Sequence, residues 1–465
     1  MLYLVGQTAG SASGGLGIRL PRHTCMPEEA DCQSAAGSQP VPRKIGICPT
    51  KNVSFLLVLC AALLLQCGAN GFEKAPDSAA AWIKKGQALM AQNDAAAALS
   101  AFQSALALDP KSAEAEDDIG FIMAATNQPA EAISHFERAI SMDAALHSAH
   151  YHLGVICWMS KQPERAIAEL ETAVRLQPGN GEYRYRLGAA YNDLNRLPES
   201  VRELAQAVKL LPDNGDIWNQ FGLARQRNGD IAGSVEAYRR AVELQPTNAD
   251  AHNNLGLALV STREPDAAIE QFKRVIELAP DNTMAQVNIG FAYLQRADLD
   301  KAIAQFKAVL AGHPELAIAH YDLGVALKQQ DRLDEARKEL ARALELDPDM
   351  ADAHYTLGII EWQSGEFDST VEDMRAAVRL RPDYGQAYFM LGTALKQKGD
   401  LDGAVEALRQ AIRLSPEDPG PYNTLGQVLR KKGDEQASKE AFEQGARAKA
   451  RIDEQSSNLL HKNKQ

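Results

Sequence analysis

Apolar, small and turn-forming residues return in the same order every 34 residues along most of this chain. The anchor is glycine, at 86, 120, 154, 188, 222, 256, 290, 324, 358, 392 and 426, with no insertion or deletion between copies. Glycine makes up about 7% of average sequence, so ten further in-register matches are on the order of one in 10^11 by chance. With glycine as position 8, eleven repeats begin at Ala79, Ala113, His147, Gly181, Gly215, Ala249, Thr283, Ala317, Ala351, Gly385 and Pro419.

The other slots each carry a steric reason. Position 7 is apolar in ten repeats, from Ile119 to Leu425, and Lys85 breaks it in the first. Position 20 is small throughout, position 24 is bulky (Phe102, Phe136, Tyr238, Phe272, Phe306) and position 27 is mostly alanine. Small residues at 8 and 20 let two helix backbones approach, and the bulky residue at 24 fills the space beside that crossing. Proline at position 32, present in nine repeats from Pro110 to Pro416, stops the second helix because it lacks the amide hydrogen. Ala144 replaces it in the second repeat, where Asp143 is expected to end the helix. Asp and Asn beside the turns, as in Pro280-Asp281-Asn282, can cap helix ends. The pattern predicts a helix–turn–helix unit repeated without interruption, an all-α fold of antiparallel helix pairs.

These slots resemble the tetratricopeptide repeat, over Ala79 to about Arg451, which implies an α–α superhelical solenoid. The last repeat departs from the pattern, with Ala450 at position 32 and no helix breaker nearby. Its second helix is therefore expected to run on through Arg447, Lys449 and Arg451, leaving repeats over 79–452 and a polar cap and tail over 453–465. The first helices Ala-His-Asn-Asn-Leu-Gly (251–256) and Ala-His-Tyr-Asp-Leu-Gly (319–324) are similar to the array that precedes O-linked N-acetylglucosamine transferases. That similarity covers the array only and brings no transferase domain with it. A second branch of the family clamps terminal carboxylates with Lys at position 5 and Asn at position 9; no repeat here has either.

Composition agrees and narrows the partner. The 465 residues are 45% hydrophobic and 24% charged, with a net charge of −12, which disfavours a nucleic-acid partner because phosphate binding needs a positive field. Residues 1–52 show no period and are expected to be disordered or to precede the natural start. After Arg43, Lys44 and Lys51, the apolar run Val53 to Leu65 and the small residues near Ala69 form a signal-peptide-like segment over 53–69. A run of 13 residues is short for a bilayer, which needs about 20, so export is expected ahead of membrane anchoring. Leu64-Leu65-Gln66-Cys67 also resembles a lipoprotein box, with Gln66 where a small residue belongs. Either route places the repeats outside the cytoplasm, in the periplasm or cell envelope.

Little in the sequence suggests catalysis. Five of six cysteines precede the repeats, and Cys157 sits at position 11, where other copies hold Leu or Tyr, so it reads as a small core residue. His147, His150 and His152, with His135, could form a metal site by helical spacing. His252, His320 and His354 share the position-4 slot of His150, however, so packing explains that histidine better. No phosphate loop, serine elbow or zinc motif is present. No enzyme activity, cofactor or metal is expected.

Binding remains, and the resemblance says where. In the family, positions 2, 5, 9, 12 and 13 of the first helices line the concave groove. Position 5 here includes Tyr151, Tyr185, Asn219, Asn253, Tyr321 and Tyr355; position 6 adds Asn254, Asn288 and Asp322. Tyrosine gives large contact area at low entropic cost, and an Asn amide can pair with both backbone groups of an extended peptide. The other reading is that these tyrosines fill gaps between neighbouring first helices. Positions 12 and 13 add Trp158 and Trp362 and become basic late in the array, at Lys396, Arg430 and Lys431, which favours an acidic ligand segment there. The expected function is an exported scaffold binding peptide segments of other proteins. The alternative is an envelope assembly factor using its convex or end surfaces. The sequence leaves the oligomeric state open.

Overall fold

The computed structural model describes residues 78–462. The segments 1–52 and 53–69, with five of the six cysteines, lie outside the described residues. Among those described there are 22 α-helices and no strand. Each repeat supplies a first and a second helix, from Ala79–Ala91 with Ala95–Leu108 to Pro419–Lys431 with Glu435–Lys462. No helix among the described residues is long and apolar enough to cross a membrane.

The chain divides after Pro212 into two compact units. Within each, a second helix packs against the first helix of its own repeat and against that of the next. First helices of most neighbouring repeats touch as well, and they form the inner layer of each unit.

The crossing inside each hairpin is tighter than a small-residue argument alone requires. The ring at position 24 lies across the glycine itself: a Cβ on Gly256 would stand 2.5 Å from Phe272 Cε1, and one on Gly222 would stand 2.6 Å from Tyr238 Cε1. Phe102, Phe136, Tyr238, Phe272 and Phe306 are accordingly among the most deeply buried side chains. Burying such a ring contributes about 1.5–3 kcal/mol. Where position 20 is serine, its hydroxyl can donate to the glycine carbonyl, as Ser200 does to Gly188 and Ser438 to Gly426, both at 2.8 Å.

The turn between the two helices is set at position 15. All eleven residues there have positive φ, between 57° and 87°, although only Gly229, Gly365, Gly399 and Gly433 are glycine. This left-handed residue lets the next amide turn back on the helix end, as Glu264 N donates to Leu259 O at 2.9 Å. In the first ten repeats the second helix ends at position 30, two residues ahead of the prolines where these are present. In the second repeat it stops at Met142 without proline, and Asp143 Oδ1 accepts from the amide of Ala145 at 2.9 Å. Cys157 is fully buried, and burial pushes its thiol up.

Candidate peptide-binding face

Positions 5 and 6 of the first helices face the neighbouring first helix, and most of their polar atoms are engaged there. Tyr151 stacks on Tyr183 with ring centroids 4.5 Å apart, and its hydroxyl donates to Glu182 at 3.4 Å. Tyr185 lies under the Arg186 guanidinium at 5.1 Å. Tyr355 packs on Tyr384 at 4.9 Å. Asn254 Nδ2 donates to Asn219 Oδ1 at 3.1 Å. Tyr321 bonds to Thr356 of the next repeat, and burial, aided by Asp352 and Asp322, pushes its phenol above the ordinary range. Tyr151 and Tyr321 therefore reach the next repeat, whereas the contacts of Tyr185 and Tyr355 given above stay within their own.

Three polar residues on this layer behave differently. Asn253 is half-buried, Asn288 is 6% exposed and Asp322 is 7% exposed. None of their side chains forms a hydrogen bond with any described residue. They occupy the first helices of three successive repeats: Ala249–Ser261, Thr283–Gln295 and Ala317–Gln329. Burial pushes the Asp322 carboxyl up to about 8, so near neutral pH it holds a proton and, like an amide, both donates and accepts.

The later candidates spread over other surroundings. Trp158 is half-buried against the apolar cores of repeats 2 to 4, and Trp362 packs on Phe367 at 5.0 Å. Lys396 Nζ donates to Gln427 Oε1 at 2.9 Å, and Arg430 is exposed. In the first unit a cavity of about 210 Å³ opens between Phe121, Tyr151, Val155 and Met159, with the Glu182–Arg186 pair on its rim.

The histidines do not converge. His135 meets Glu116, His147 meets the Tyr183 hydroxyl, and His152 meets Asp117. No group of three or more possible metal ligands occurs among the described residues. The position-4 histidines share one arrangement instead. Nδ1 of His150, His252, His320 and His354 meets the residue 19 places on, and Nε2 meets a backbone carbonyl six places back. Arg184 repeats it with Glu203 and the Pro178 carbonyl. The sequence signal for this clamp is a polar residue at position 4 with its complement at position 23.

A second polar set escaped sequence reasoning altogether. Glu361 occupies the position-11 core slot and is 7% exposed. Burial and then the neighbouring Asp373 carboxyl push its own carboxyl well up.

Tetratricopeptide repeat family models match residues 79–112, 124–180, 158–219, 219–283, 288–353, 355–419 and 420–451, one of them over more than half of the chain. The chain belongs to the tetratricopeptide repeat family. As such it is a protein–protein interaction scaffold. Comparison with curated proteins found no match. Among solved structures, this tetratricopeptide array is similar to YrrB, described as a tetratricopeptide protein with an unusual peptide-binding site. The two share 22% identity, over 40% of this chain and 95% of that one, with a TM-score of 0.37. It is also similar to the Cut9–Hcn1 hetero-tetramer of the APC/C, at 14% identity over 81% of each chain and a TM-score of 0.43. A third is human IFIT1, solved as a dimer with PPP-AAAA, at 19% identity over 78% of this chain and 89% of that one, with a TM-score of 0.38. These are likenesses of fold.

Proposed function

We propose that this scaffold captures extended segments of partner proteins along the inner layer of its first helices, and that it does so outside the cytoplasm. The observation that carries the reading is the run of Asn253, Asn288 and Asp322, whose polar atoms no described residue satisfies. Their polar atoms are not among the buried unsatisfied ones and so reach the surface of this layer, where an extended backbone offers alternating donors and acceptors. Tyr151 and Tyr321 serve the same end by tying neighbouring repeats together. Export rests on the signal-like segment 53–69.

Selection of a displayed peptide library on the full chain, followed by calorimetry of the selected peptides, tests the groove. Asn253→Ala with Asn288→Ala is expected to weaken them about tenfold with helicity intact, since two lost hydrogen bonds are worth about 1–3 kcal/mol. Peptides indifferent to both changes would move binding to the convex or end surfaces and make the chain a structural assembly factor. Amino-terminal sequencing of the native protein tests export, with a start near Asn70 expected.

A further inference from the structure

The inner layer of the last two repeats is unusual in its charge. Across positions 2, 5, 6, 9, 12 and 13, repeats 10 and 11 hold three cations (Lys396, Arg430 and Lys431) and no Asp or Glu. The same positions of the second repeat hold Glu114, Asp117 and Asp118 and no cation. In a chain with 61 acidic and 49 basic residues, a strip of this sign runs against the overall balance.

Some cations close to this strip are matched by carboxylates. Lys398 pairs with Asp368, Lys432 with Asp402, and Arg381 with Asp352. Neither Arg430 nor Lys431 forms an ion pair with any described residue, and Lys396 has only the Gln427 amide. Lys396 Nζ reaches Gln427 on the next first helix, one helical turn before Lys431, and burial, then Lys431, holds the Lys396 ammonium below its ordinary range. Neighbouring ammonium groups with no ion-paired carboxylate are an arrangement that an anion relieves. Arg430 also borders a cavity of about 470 Å³ that includes Glu435 and Glu443, so Lys396 and Lys431 form the centre of the strip.

We propose that the inner face of repeats 10 and 11 docks an acidic stretch of the captured peptide, with its carboxylates seated between Lys396 and Lys431 and beside Arg430. The proposal rests on the inner-layer reading above and gives it a ligand chemistry. A peptide is favoured over a polyanion such as nucleic acid because the strip holds only three cations, includes the Gln427 amide beside Lys396, and is set in a chain of net charge −12.

The test is calorimetry of the full chain against two short synthetic peptides, one alternating Glu with Ser and one with Gln in place of each Glu. At low salt the Glu peptide is expected to bind about tenfold more tightly, with the gap narrowing as salt rises. Lys396→Gln with Lys431→Gln should remove that gap and leave the Gln peptide unchanged, while Lys396→Arg with Lys431→Arg keeps it. Circular dichroism of both variants guards against misfolding. Equal binding of the two peptides would overturn the acidic preference and leave inner-layer capture standing. Failure of the Glu peptide to bind, while library peptides bind and respond to Asn253→Ala, would overturn it in the same way. Tighter binding of single-stranded DNA or phosphatidylserine vesicles, lost in the Gln variant, would replace the peptide by another anion. If library peptides also ignore Asn253 and Asn288, the underlying reading falls with it.

Discussion

His320 stands 2.6 Å from Glu339 through Nδ1, while its Nε2 meets the carbonyl of Pro314 at 3.1 Å. One side chain thus ties the first helix of its repeat to its second helix and to the turn of the preceding repeat. His320→Phe keeps a ring of similar shape but leaves the carboxylate and the carbonyl without partners. The expected loss is about 1–3 kcal/mol, read from the urea midpoint. Glu339→Gln should cost far less, because His252 already pairs with Gln271 in this way. The second repeat carries the pair reversed, Glu116 with His135, so exchanging His320 and Glu339 should recover most of what either single change loses.

Gly256→Ala is expected to destabilise the array despite alanine's better helix propensity. The new Cβ would lie 2.5 Å from Phe272 Cε1, and that ring is fully buried and cannot swing away. Overpacking costs about 1–3 kcal/mol against a propensity gain of about 1 kcal/mol. Gly312→Ala is the control: nothing lies within 4 Å of its Cβ position, so it should be neutral or stabilising in the same melts.

Arg263 holds φ 62° at the turn slot where four other repeats use glycine. Arg263→Gly should stabilise by about 0.5–1 kcal/mol, since glycine adopts this conformation without a Cβ clash. Gly399→Val, at φ 82°, should lose about 1–2 kcal/mol. Thermal melts that ranked the two the other way round would contradict a left-handed requirement at position 15.

Asp322 makes stability depend on pH in a direction opposite to that of an ordinary surface carboxylate. Burial raises its pKa from 3.8 to about 8. Between those values the folded chain holds a proton that the unfolded chain has released, so this residue's contribution to stability falls as pH rises from about 4 to about 8. Asp322→Asn should flatten that part of the urea-midpoint profile and be stabilising at pH 8 by at least about 1 kcal/mol. A profile unchanged by the substitution would refute a buried protonated carboxyl.

Several parts of the fold were legible before any coordinates. The glycine at position 8 and the ring at position 24 announce a close helix crossing, because only a missing Cβ makes room for a ring there. The end of the second helix is written in the prolines, and Met142 shows that Asp143 serves where proline is absent. The left-handed turn was harder to see: Lys161, Arg263 and Ala297 adopt it although their side chains do not favour it. There the close packing of the two helices overrides local preference.

The candidate face was legible only as a set of slots. The repeat period assigns Asn219, Asn253, Asn254 and Asn288 to positions 5 and 6, where their amides look equivalent. In the structure Asn254 is engaged by Asn219, while Asn253 and Asn288 find no partner among the described residues. The same holds for the cations: Lys398 and Lys432 find carboxylates one repeat back, while Lys396, two places from the one, and Lys431, next to the other, do not.

By itself, then, the sequence determined the hairpin, its 34-residue period and which residues fall on the first-helix layer, because these follow from backbone sterics that recur at fixed spacing. Only the tertiary structure decided which polar groups on that layer are left over. That depends on how neighbouring first helices are offset, and a hydrogen bond tolerates an error of a few tenths of an ångström where a repeat pattern specifies only a residue type.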